Sequence, residues 1–256
     1  MKRARARLAL LLAAPLVMGQ AKPVLVPDVS QRDIEIKYSF TGAELLLFGA
    51  ILYPGGRLPE PGHRTDVAIV LKGPAQSIII REKEKVAGIW VNAEALRYRS
   101  APSFYAIASS RPIAALVDAR TRAIYELGLD SLQLSPASAA PSVVQDRFTR
   151  GLVEQRRRTG LFVEAPGAVE ITGGVLYRAR LTIPARVPTG RFTAETFLIR
   201  DGRVLAAAVR DIDVRKTGFE RFVTRAADRH AILYGLTAVA LSALLGWGAG
   251  RIARRT

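Results

Sequence analysis

Twenty consecutive uncharged residues, Ala231 to Gly250 (AILYGLTAVALSALLGWGAG), constrain this chain more than any other feature. A helix of that length rises about 30 Å, the thickness of a bilayer's hydrocarbon core. The stretch predicts a single transmembrane helix over 231–250. Arg251, Arg254 and Arg255 follow it at once, and the positive-inside bias places a tail, 251–256, in the cytoplasm. At the other end MKRARAR precedes the eleven apolar residues LALLLAAPLVM, with Gly19, Gln20 and Ala21 next. That order is a basic region, a short apolar region and a small-residue cleavage site, so 1–21 reads as a signal peptide cut after Ala21. The expected protein is exported and single-pass.

Charge narrows the partners. The formal net charge is +16; four of those charges lie in the N-terminal segment and three in the C-terminal tail, which leaves +9 between them. Such a surplus attracts polyanions, phospholipid head groups or acidic envelope polymers among them. An exported chain without a reader motif argues against nucleic acid as a partner. There is no cysteine, so the fold rests on its apolar core and thiol chemistry is excluded.

Period-2 patterning dominates the middle of the chain. Asp33 to Phe40 alternates without a fault. Glu44 to Leu52 is a continuous apolar run bounded by Gly42 and Pro54-Gly55-Gly56, which predicts a buried central strand. Asp66–Leu71, Gln76–Arg81 and Val86–Asn92 read as strands, the last two joined by the charged tip EKEK, and Phe104–Ser109 as another. Asp118 is placed to cap a short helix ended by Gly128. Ser142 and Gln145 form a capping box before a helix to Thr159 with Val144, Phe148 and Leu152 on one side and Arg147, Arg150, Arg157 and Arg158 on the other. Strands return at Val175–Ile183, Phe192–Ile199 and Val204–Val214, with Asp201-Gly202 as a hairpin turn. Thr217 and Glu220 form a second capping box, opening a juxtamembrane helix.

Few residues are arranged for chemistry. The chain has two histidines. His63 stands three residues before Asp66, a spacing that allows a base and its orienter, but a Pro/Gly loop histidine is the plainer reading. His230, beside Tyr234, is an interfacial anchor. Neither supplies a metal-ligand spacing, no G-x-S-x-G elbow occurs, and Gly173-Gly174 lacks the following lysine and helix of a phosphate cradle. The expectation is therefore no catalytic residue, no metal and no cofactor. The candidate binding surface is Phe104, Tyr105, Ser109, Ser110 and Arg111, where aromatics, hydroxyls and a guanidinium crowd a strand end. On the C-terminal helix Ala238, Ser242, Gly246 and Gly250 repeat at i, i+4, the small-residue face that lets helices approach closely. They are the candidate helix–helix contact, for self-association or for another membrane protein.

Several segments together carry a resemblance: IEIKYSFTGAELLLFGAI (34–51), LKGP (71–74), GIWVN (88–92), PSFYAIASSRP (102–112), GRFTAETFLIRDG (190–202), GFERF (218–222) and LYGL (233–236). In these the chain resembles the alphaproteobacterial putative transmembrane protein family. The resemblance implies a signal peptide, a periplasmic domain, one C-terminal span in the inner membrane and a permease-type neighbour as partner. It implies no activity, substrate or cofactor. Within GIWVN, Trp90 reads as a core aromatic, and Gly49 and Gly88 as sites of close backbone approach or a bulge.

The expected fold is mainly β: an antiparallel β-sandwich-like region with a helical insertion, plus the transmembrane helix. The segments are 1–21 signal, 22–111 β region, 112–160 helical insertion, 161–216 second β region, 217–230 juxtamembrane helix, 231–250 span and 251–256 tail. One sandwich or two stays open. The expected function is a non-catalytic, membrane-anchored periplasmic accessory or binding protein. An envelope-structural adaptor on anionic lipid or polymer, and an enzyme of unknown type, are the alternatives.

Overall fold

Apolar–polar alternation becomes strand along most of the chain. The computed structural model describes residues 22–36, 42–56, 58, 64–216, 227 and 231–253. Its strands are β1 (Val24–Val29), β2 (Asp33–Ile36), β3 (Ala43–Leu52), β4 (Thr65–Lys72), β5 (Ala75–Val86), β6 (Ile89–Pro102) and β7 (Tyr105–Ser109). After the helical segment come β8 (Ser135–Pro136), β9 (Phe162–Pro166), β10 (Val169–Thr172), β11 (Leu176–Ile183), β12 (Gly190–Arg200) and β13 (Arg203–Lys216). The expected signal peptide, His63, His230, the Thr217 capping box and the 251–256 tail beyond Ala253 lie outside the described residues.

Two sheets form one sandwich. The first has the order β1-β3-β11-β10 and the second β2-β13-β12-β4-β7-β9. Their facing side chains make one apolar core, with Leu45, Leu47 and Ile51 from β3, Leu181 and Ile183 from β11, and Ile69, Leu71, Phe192 and Ile212 from the second sheet. Strands from before and after the helical segment pair directly, β3 with β11 and β4 with β12. The two β regions of the sequence are thus one unit. The Asp201-Gly202 turn joins β12 to β13, both residues having positive φ (49° and 77°), as a two-residue hairpin of that hand requires.

The sandwich is not purely antiparallel. β13 pairs with β2 and β7 with β9 in parallel. A parallel pair needs a crossover, and residues 110–161 supply it. The first half of that crossover, with helices Ile113–Leu116 and Ala119–Tyr125, covers the outer face of the second sheet; Leu116, Val117, Leu127 and Leu129 join the main core. β4 is consequently buried on both faces from Asp66 to Leu71. β3 has only one covered face, so Phe48 and Leu52 are exposed and the expected fully buried strand is half-buried.

The second half of the crossover is the helix Ser142–Arg158, which packs on a separate three-stranded sheet, β5-β6-β8. Phe148 and Leu152 meet Leu96, Tyr98 and Ala101 in a small second core. Its expected capping box does not form: Pro141 occupies the N-cap, and the Gln145 side chain donates to the Ala140 carbonyl at 2.6 Å. Asp118 does cap its helix, accepting from the Thr121 amide at 2.8 Å. The EKEK segment is strand, not tip. The turn falls at Ala87-Gly88, again with two positive φ values, 49° and 87°, because glycine takes that conformation without strain. Trp90, next to this turn, is 65% exposed and is no core residue.

The C-terminal helix runs from Ala231 to Ala253. Among the described residues, however, no helix is long and apolar enough to cross a membrane. This corrects the expected transmembrane helix and removes support for the single-pass topology drawn from it. Crossing takes about 20 apolar residues in succession. Within the helix the apolar side chains are interrupted by Gly235, Thr237, Ser242 and Gly246.

Candidate functional site

The β4–β7 register decides what the 104–111 segment can do. Ala68 pairs with Ser109, so Ser110 and Arg111 continue opposite Val67 and Asp66. The Asp66 carboxylate accepts from Ser110 Oγ at 2.7 Å and from Arg111 Nε at 3.0 Å, and Arg111 Nη2 bonds its other oxygen. Burial pushes the Asp66 pKa up, but the hydrogen bonds from Arg111 and Ser110 and the charges of Arg111 and Arg64 outweigh it and hold it below the usual carboxylate range. The result is a closed lock between strand ends, with both charges occupied by each other.

The aromatic members turn inward. Phe104 and Tyr105 are buried; Phe104 meets Phe192 with ring centroids 6.0 Å apart, and Tyr105 meets Phe162 edge-on at 6.2 Å. Tyr105 Oη donates to the Glu126 carbonyl at 2.7 Å and accepts from the Gly128 amide at 3.0 Å. It thereby ties the sheet to the turn that leaves the Ala119–Tyr125 helix. Burial drives its pKa far up, so it stays a neutral phenol. Tyr105→Phe should cost about 2 kcal/mol, because a buried amide and carbonyl both lose their partner while the ring still fits. Thermal unfolding should show a fall of about 6 °C; an unchanged midpoint would show that the hydroxyl carries no weight.

Next to Tyr105, Lys72 Nζ bridges Glu126 (2.8 Å) and Glu195 (3.2 Å). Burial disfavours the ammonium, yet the two carboxylates more than restore it and its pKa is raised. A lysine held charged is a tether between β4, β12 and the helical cover, not a nucleophile. No local signal in the sequence marks this trio, whose members are 54 and 123 residues apart.

A cleft of about 210 Å³ lies between the outer sheet edge and the helical cover, with Ser109, Arg122, Gly128, Asp130 and Glu164 on its walls. Of the five segment residues named from sequence, Ser109 alone lines it. Glu164 Oε1 is occupied by the Leu129 amide at 2.6 Å, and Arg122 Nε has no hydrogen-bond partner. The walls can hydrogen-bond a small polar group. The volume is below the range of sites that enclose a metabolite. Among the described residues no group of three or more His, Asp or Glu is placed to hold a metal ion.

On the C-terminal helix Ala238, Ser242 and Gly246 are exposed, as are the neighbouring residues on its other sides. Ser242 Oγ donates back to the Ala238 carbonyl at 2.9 Å, so its hydroxyl is already satisfied inside the helix. Gly250 belongs to the same helix.

The feature that the sequence misread is the outer half of the β5–β6 hairpin, where Val86, Ile89, Trp90 and Val91 are exposed together. The signal in the sequence is the Ala87-Gly88 pair between the runs 81–86 and 89–92, where the turn falls.

Compared with known proteins, the chain matches over residues 24–255 a family model described as Putative transmembrane protein. No curated protein matches it.

Proposed function

The chain belongs to the Putative transmembrane protein family, and from that premise we propose that it is a non-catalytic accessory or binding protein. It works at the inner membrane, on the periplasmic side, beside a membrane protein such as a permease. The envelope location rests on the export-type segment 1–21 and on the family's description. The observation that carries the binding reading is the projecting β5–β6 hairpin. Past Ile80 and Leu96 it packs on no core, yet it ends in four exposed apolar side chains. A two-stranded ribbon alone is marginal in water, and a cluster of exposed apolar side chains marks a contact site. The polar groups elsewhere support the reading too: Asp66, Lys72 and Tyr105 are spent on internal bonds.

A photo-crosslinking residue at position 90, in cells, tests it. Adducts with envelope membrane components are expected from position 90 and none from position 124, an exposed isoleucine on the Ala119–Tyr125 helix. Glu164→Gln in the cleft should leave the adducts unchanged. Equal adducts from both positions, or none from position 90, would remove the hairpin as the binding element; loss of adducts in Glu164→Gln would point to the cleft instead.

A further inference from the structure

The two faces of the outer hairpin carry different chemistry, and the register shows how. Lys85 pairs with Trp90, Lys83 with Asn92, Arg81 with Ala95 and Ile79 with Arg97. An extra residue on β6 is taken up between Glu82 and Lys83, and alternation on either side of it keeps these pairs on one face. That face therefore holds Arg81, Lys83, Lys85, Arg97, Trp90 and the half-exposed Ile79, and no carboxylate. Glu82, Glu84 and Glu94 point the other way. There Arg147 of the Ser142–Arg158 helix binds Glu82 at 3.2 Å and also pairs with Glu94. The helix absorbs two of the three acids, and among the described residues the ion pairs found on this ribbon are those of Arg147. The basic face is left without counter-charge.

From Arg81 to Val86 the ribbon extends about 20 Å beyond its packed base. Its end presents Val86 and Ile89 opposite each other, with Val91 on their face and Trp90 on the basic one. Apolar residues at a tip, a tryptophan beside lysines, and unpaired cations behind it match the vertical order of a membrane interface. Acyl boundary and head groups follow one another over about 5–10 Å, which reaches from Val86 to Lys83, and the negative surface potential extends about a Debye length further, to Arg81.

We infer that residues 81–95 seat on an anionic phospholipid bilayer, with Lys83 and Lys85 against head-group phosphates, Arg81 in the surface field behind them and Trp90 at the head-group level. This rests on the reading of the hairpin as a binding element and names what it binds. The occupant is lipid and not protein because the complementarity is one of charge sign and depth order, and because the family places the chain at a membrane. A second copy of this chain would meet the same uncompensated positive face.

The chain has two tryptophans, so Trp247→Phe leaves Trp90 as the sole reporter in the full-length protein. When the protein is mixed with vesicles of phosphatidylcholine and phosphatidylglycerol, Trp90 emission should shift to the blue and be quenched by brominated acyl chains; with phosphatidylcholine alone it should stay at the water-exposed wavelength. Lys83→Gln with Lys85→Gln should weaken the quenched state about 30-fold, at roughly fivefold per basic residue near an anionic surface. Both lysines are exposed on the ribbon, so an unchanged unfolding midpoint should accompany that loss. Raising salt to about 1 M should act in the same direction. Trp90 that stays in water with phosphatidylglycerol present overturns the proposal. So does a blue shift that follows protein density and ignores lipid charge, which would assign the tip to a second copy. Protein adducts from position 90 in cells with no lipid contact in vesicles would leave the binding reading standing and remove the lipid; neither adducts nor lipid contact would remove both.

Discussion

Gly49→Val will destabilise the sandwich by about 3 kcal/mol or more, seen as a fall of roughly 10 °C in the thermal midpoint. Gly49 lies in the middle of β3, opposite Pro27 of β1 and Tyr177 of β11. A Cβ there would enter the Tyr177 side chain and come to 2.5 Å from the Val26 carbonyl oxygen. One obstacle is a ring locked in the core and the other is backbone of a paired strand, so neither can withdraw cheaply. Gly88 is the internal comparison. It has positive φ but nothing within 4 Å of a Cβ, so Gly88→Ala should cost only about 1 kcal/mol, from turn strain alone. Equal effects at the two positions would show that close approach at Gly49 is not what the strand requires.

Asp66→Ala is expected to cost about 3 kcal/mol, because it strips Arg111 and Ser110 of the one buried carboxylate they share. The pH dependence follows from the direction of the shift. The Asp66 pKa is held below its unfolded value of about 3.9, so the unfolded state takes up the proton first as pH falls. The stabilisation is complete above that unfolded value and disappears as pH drops through the folded one. Asp66→Asn keeps an acceptor but cannot titrate. Denaturant titrations of wild type and Asp66→Asn should therefore lie furthest apart near neutrality and converge on acidification. A gap that is constant or widens toward acid would mean that Arg111 does not hold the carboxylate ionised.

Elements carried by local pattern were legible. The alternation of Val175–Ile183 and the Asp-Gly turn at 201–202 became β11 and the β12–β13 hairpin, since period 2 and positive φ at two adjacent residues need nothing beyond the segment itself. Gly49 was read correctly as a close approach and Trp90 wrongly as core. Both sit in apolar runs on strands; what separates them is whether another layer covers that stretch of sheet, and a strand does not encode its own cover. The 104–111 segment shows the same limit. Its residue types invited a surface, but Asp66 and Glu126, which arrive through pairing and crossover, turn Arg111 and Tyr105 into fasteners.

By itself, then, the sequence determined a mainly β chain, its principal hairpin turn and the family to which it belongs, because alternation, turn residues and family-wide segments are properties of adjacent residues. Only the tertiary structure decided that both strand groups share one core, that residues 110–161 are the crossover of a parallel pair, and that the hairpin stands out with a basic face and an apolar tip. Those outcomes depend on contacts between residues far apart in the chain. Arg147 shows why: alternation alone puts the acids and bases of the hairpin on opposite faces, but the pairing of Arg147 with Glu82 and Glu94 decides which face keeps its charge, and nothing in the run REKEK states which charges a distant helix will claim.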